Sequence, residues 1–148
     1  MRIANDILIP ELARLLNEEK EVRFTPSGVS MRPFIEGDKD SVILAPFTRD
    51  PRPGDVILAR VRGAGGRQTY VLHRLVKIEH DEEGLVYILM GDGNLAGMET
   101  CRREEILGRV TTVETPQGKR KPLTRGRLWY LLRPFRKWLL KIYRHTMI

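Results

Sequence analysis

The sequence predicts a mainly β domain, antiparallel and joined by tight turns, with one helix before it and one after it. Three observations carry this. Short apolar, β-branched runs recur from Val22 to Val113. Clusters of Gly, Pro and Asp separate them. Apolar residues change to a spacing of three and four at each end of the chain. A period of two bounded by turn formers is the mark of half-buried strands, and a period near 3.6 that of an amphipathic helix.

Asn5 or Asp6 can cap the first helix, which the pattern extends over residues 4–20. Ile7, Leu8, Leu12, Leu15 and Leu16 fall on one face. Pro10 sits in the first turn, where a missing N–H costs little. The expected strands are Val22–Thr25, Ser41–Leu44, Asp55–Val61, Tyr70–Ile78, Leu85–Met90 and Ile106–Val113. Breakers at Pro26 to Gly28, Gly37-Asp38, Pro51 to Gly54, Gly63 to Gly66, Asp81 to Gly84 and Gly91 to Gly97 mark the turns. Residues 1–114 thus form the body. Residues 115–148 divide into a basic linker, Pro116 to Gly126, and an amphipathic helix. In that helix Leu128, Leu131, Leu132, Phe135, Trp138, Leu139 and Ile142 make the apolar stripe, with Pro134 as the place for a kink.

Charge follows the same division. The chain has 26 Lys and Arg against 19 Asp and Glu. No acidic residue follows Glu114, while ten of the basic residues do. The body before that point is mildly acidic, which argues against a general nucleic-acid binder. The basic helix has three open readings: its stripe packs on the body, it lies on an anionic membrane surface through residues 125–145, or its charged face binds a nucleic acid or an acidic partner protein. The N-terminal segment has no signal-peptide pattern, since Asp6 interrupts it and no small-residue cleavage site follows. No run of 18 apolar residues is present. The expectation is a cytoplasmic protein, with peripheral attachment to the inner membrane face through the tail left open. A lone cysteine, Cys101, permits no intrachain disulfide. Its only mark as a reactive thiol is the neighbouring Arg102 and Arg103.

The stretch Ser27 to Asp38 holds the most chemistry. A serine after a glycine-containing turn can be presented at a strand end, its own N–H facing a developing oxyanion. A serine hydroxyl needs an adjacent base to attack at neutral pH. Of the three histidines, His145 lies in the tail and His80 at a strand end beside acids, whereas His73 lies within a strand whose apolar neighbours would hold its ring. The plainer readings are a simple turn for Ser30 and a hydrogen-bonded core histidine for His73.

Taken together, Ser30-Met31-Arg32-Pro33 with Gly37-Asp38 resembles the nucleophile box of signal peptidase I and of LexA-type autoproteases. Pro53-Gly54-Asp55-Val56-Ile57 resembles the strand start that follows it. Leu72-His73-Arg74-Leu75-Val76 resembles the His box of the endoplasmic-reticulum, archaeal and sporulation-type signal peptidases. Met90-Gly91-Asp92-Gly93-Asn94 and Ile106-Leu107-Gly108-Arg109-Val110 resemble their two closing boxes. The boxes keep their order across residues 22–113.

The resemblance implies a coiled antiparallel β fold and a serine endopeptidase that acts without metal or cofactor on a peptide or protein substrate. Ser30 would attack the acyl carbon, and His73 would accept its proton and return it to the leaving amine. The Ser30 N–H would form the oxyanion hole, with Ser27 and Met31 as further residues on the oxyanion and substrate side. The sequence departs from the pattern where an acid should orient the histidine: that position is Met98. Asp92, Glu99 or no acid at all remain open as the third member. This leaves weak or absent activity open, and with it a second function: a peptidase-like binding module recruited by its basic tail. A DNA-linked regulator of LexA type is disfavoured, because only one helix precedes the body.

Overall fold

The computed structural model describes residues 5–26, 31, 34–62, 68–91 and 98–121. Its body is one antiparallel sheet curled into a half-barrel, with a helix packed on it. Helix α1 spans Asn5–Asn17. The strands are β1 (Val22–Phe24), β2 (Ser41–Ala45), β3 (Val56–Arg62), β4 (Gln68–Asp81), β5 (Gly84–Met90), β6 (Glu99–Cys101), β7 (Ile106–Glu114) and β8 (Arg120–Lys121). Their spatial order is β1-β2-β7-β3-β4-β5-β6, and β8 pairs with β7. All the pairings are antiparallel.

The helix ends at Asn17, three residues short of the expected Lys20. The Glu19 N–H donates to Leu16 O and the Lys20 N–H to Leu15 O, at 3.0 and 3.1 Å. This pair of bonds closes the helix with a left-handed residue, here Glu19 at φ 60°. Leu12 and Leu16 are 3% and 2% exposed. Burying each such side chain contributes about 1.5–3 kcal/mol.

The sheet has a core on each face. One cluster joins Leu12 and Leu16 to Val42, Leu44, Leu58 and Val110. The other contains Ile57, Ala59, Leu75, Tyr87, Leu89 and Ile106. Alternation along β3 separates them, with Val56 and Leu58 on the first side and Ile57 and Ala59 on the second.

Two strands have no counterpart in the sequence-based expectation. β6 is a three-residue strand paired with β5, in the stretch between the expected Gly91 to Gly97 turn and the expected Ile106–Val113 strand. β8 lies inside the stretch read as a linker, where Thr115 to Lys119 make a turn and residues 120–121 pair back onto β7. β4 is also longer than expected, since it changes partner along its length. Its first half pairs with β3 as far as Arg74 and its second half with β5 from Arg74 onward. A bulge between Leu75 and Lys77 accompanies the change, as bulges do where strands bend beside sites. The expected tail helix, residues 125–145, lies outside the described residues, as do the turns at 63–66 and 92–97. Among the described residues, no helix is long and apolar enough to cross a membrane.

Candidate active site

His73 sits where β4 exchanges partners. It faces Ile57 on β3, while β5 ends at Met90, opposite Arg74. The residue that would continue the ladder opposite His73 is Gly91, which has no side chain. Facing residues in antiparallel strands share a side of the sheet. His73 therefore shares its side with Ile57 and Leu75, and Leu75, Leu89 and Glu99 run across β4, β5 and β6 in one row.

That geometry lets the imidazole lean over the end of β5. Its Nδ1 lies 2.9 Å from Oε2 of Glu99. The His73 side chain is 8% exposed and that of Glu99 27%. A carboxylate can only accept, so Nδ1 is the donor in this pair, and whenever the ring is neutral its lone pair falls on Nε2. An imidazole held this way has a fixed tautomer and orientation, and a carboxylate ready to balance a positive charge that forms on it.

Met98, where the resemblance would put an acid, is 54% exposed. In a strand the next residue points to the opposite face, and that next residue, Glu99, carries the carboxylate to His73. Asp92 lies outside the described residues. His80 is in β4, at the exposed hairpin end opposite Leu85.

Ser27 and Ser30 also lie outside the described residues; the segments on either side of them are described. The Asp38 N–H donates to Pro26 O at 2.7 Å, which closes the chain between them into a loop. Asp38 has φ 66°, a left-handed conformation that aspartate tolerates better than most residues. Met31 follows Ser30 directly. It is 4% exposed and packs in the first core cluster. Its carbonyl accepts from the Phe34 and Ile35 N–H groups, both at 3.0 Å, in a tight turn.

Arg74 connects this turn to the histidine strand. Its guanidinium stands 5.2 Å from the centroid of the Phe34 ring and donates to Gly54 O at 2.7 Å. Arg74 is 2% exposed. The Gly54 N–H donates to Leu75 O and the Leu75 N–H to Asp55 O, at 2.8 and 2.7 Å. Three of the sequence boxes, those around Ser30, Asp55 and His73, are therefore bonded or stacked through one buried cation and its neighbours. A planar guanidinium stacks on an aromatic face while it donates in its own plane.

Asp55 is occupied in its turn. Arg49 donates to both of its oxygens, at 2.9 and 2.8 Å, and the Arg52 N–H adds a third bond at 2.9 Å. Burial pushes this carboxyl up, but these bonds and the Arg49 and Arg109 charges outweigh burial and hold it below the usual aspartate range. It is a turn clamp.

Cys101 is 4% exposed. Burial, and then the charges of Glu105 and Glu104, push its thiol up to about 12, so it stays protonated at neutral pH and is a poor nucleophile. A charged cleft of about 510 Å³ opens beside it, lined among others by Arg60, Asp81, Arg102, Glu104 and Glu105. Neither His73 nor Glu99 lines that cleft. Among the described residues no group of three or more His, Cys, Asp or Glu converges to hold a metal ion.

Comparison with protein-family models, curated proteins and solved structures finds no match for this chain. The site therefore stands on its own geometry.

Proposed function

We propose that this chain is a serine endopeptidase of the signal-peptidase and LexA type. In this reading Ser30 is the nucleophile, His73 the general base and Glu99 the residue that orients it. The observation that carries the reading is the 2.9 Å contact from His73 Nδ1 to Glu99 Oε2 on a nearly buried imidazole. An imidazole with a carboxylate on one ring nitrogen is the base half of a Ser–His–acid site.

The chemistry follows. The Ser30 hydroxyl attacks the scissile carbonyl as His73 Nε2 takes its proton. The tetrahedral oxyanion is met by the Ser30 N–H, and the imidazolium is stabilised by Glu99. His73 then protonates the leaving amine, and water hydrolyses the acyl-enzyme by the same steps. Glu99 thereby replaces the acid that the sequence pattern lacks at Met98. The finer fold assignment, a LexA-like coiled β fold, belongs to this proposal, as does attachment of residues 125–145 to an anionic membrane face.

A fluorophosphonate probe tests the reading. It should label the wild-type chain and leave Ser30→Ala unlabelled. Absence of labelling in a folded wild-type protein would instead favour a binding module.

A further inference from the structure

We infer that Asp40 and Lys121 form a strut that positions the Ser30-bearing loop, so that the last strand of the body helps set the nucleophile. The inference rests on the peptidase reading above, in which Ser30 is the attacking group.

Asp40 is a buried carboxylate with two bonds that serve different parts of the chain. Its Oδ2 accepts the Glu36 N–H at 2.8 Å and Lys121 Nζ at 2.7 Å. The Asp40 side chain is 4% exposed and that of Lys121 30%. The Asp40 N–H also donates to Glu36 O at 2.8 Å. Residues 36–40 are thus drawn into one turn around this carboxylate. That turn is the downstream wall of the loop closed by the Asp38 to Pro26 bond, within which Met31 and Phe34 make their own turn.

Lys121 comes from 81 residues away in sequence. It is brought there by β8, which places Lys121 opposite Val113 while β2 places Ser41 opposite Glu114. A buried carboxylate with a lysine on one side and a backbone N–H on the other has a fixed position. Its loss would let the turn relax, and a displacement of about an ångström at a reacting group can slow chemistry about a hundredfold. Asp40 and Lys121 touch no reacting atom, so they are positioning residues.

The test measures the rate of fluorophosphonate labelling in the full chain for wild type, Lys121→Met, Lys121→Arg and Asp40→Asn, well below each melting temperature. Asp40→Asn keeps an acceptor for the Glu36 N–H and removes the charge facing Lys121. Both Lys121→Met and Asp40→Asn should label about ten- to a hundredfold more slowly. Lys121→Arg should recover most of the rate, and the pH at which labelling is half-maximal should stay at the wild-type value, since the His73–Glu99 pair is untouched. Labelling of both charge-removing variants within twofold of wild type would overturn the strut and leave the peptidase reading standing. A Lys121→Arg rate no better than that of Lys121→Met would overturn it too. A wild-type chain that is folded and unlabelled would remove the peptidase reading itself, and the strut with it.

Discussion

His73 and Glu99 meet at 2.9 Å although a whole strand, β5, lies between the strands that carry them. The contact is possible because β5 ends at Met90 and the next residue, Gly91, carries no side chain of its own. It assigns Nδ1 the proton, and in the proposed reaction Nε2 the work. Replacing the acid by an amide can turn the ring to the wrong tautomer, which costs about 10⁴-fold in a comparable triad. Glu99→Gln should therefore lower the fluorophosphonate labelling rate by about 10²–10⁴-fold, with the melting temperature little changed. A rate within twofold of wild type would remove Glu99 from the site.

Gly108 carries a prediction about packing. A Cβ built on it would stand 2.8 Å from Ala45 O and 3.1 Å from Leu16 Cδ1. The first contact is with backbone of the neighbouring strand and cannot swing away. The second is with the residue that seats α1 on the sheet. Gly108→Ala should cost about 1–3 kcal/mol, the range for overpacking a filled core, read by urea denaturation. An unchanged midpoint would mean that β2 and α1 can shift freely at this point.

Most of the sheet was legible because its longer strands advertise themselves. Val56 to Val61 and Ile106 to Val113 alternate or run apolar between turn formers, and pairing only confirms what their composition favours. β6 and β8 have three and two residues and no pattern of their own. They exist because a neighbouring strand offers them a ladder. The orienting acid was undecidable for the same reason. Whether residue 98 or residue 99 faces His73 depends on the register of β6, and a shift of one residue turns every side chain over. Arg74 was visible as a motif letter, but its place between Phe34 and Gly54 is a tertiary fact, as is a lysine in an apparent linker that reaches Asp40. The tail helix and Ser30 itself lie outside the described residues.

Cys101 separates a buried thiol from a reactive one. With its pKa pushed up to about 12 against an ordinary value of 9.0, the folded state holds the proton over a range in which the unfolded chain releases it. Stability from this group is therefore complete below about pH 9 and is lost as pH rises toward 12, by about 4 kcal/mol at the most. Cys101→Ser or Cys101→Ala should flatten that alkaline loss. At neutral pH iodoacetamide should modify native Cys101 at least about a hundredfold more slowly than the urea-unfolded chain, since only an opened state exposes the thiolate. Fast modification of the native chain would contradict its burial.

Asp55 gives the acid limb. Its carboxyl is held below the usual aspartate range in the folded chain, by Arg49 and the Arg52 N–H acting against burial. A lowered folded value means that the unfolded chain takes up the proton first as pH falls. The contribution is fully present above the ordinary aspartate value, about 3.9, and is lost as pH drops through the lower folded one. Asp55→Asn keeps the shape of the turn and gives up the charge. It should cost about 1.5–3 kcal/mol at pH 7, the range for hydrogen bonds to a charged group. The gap to wild type should narrow steadily in urea titrations below about pH 4. The turn also presents Gly54 O to Arg74, so labelling at Ser30 should slow in this variant even at temperatures where it is fully folded. A stability gap that stays constant down to pH 2 would show that Asp55 acts through shape alone, and that its ion pair with Arg49 contributes nothing net.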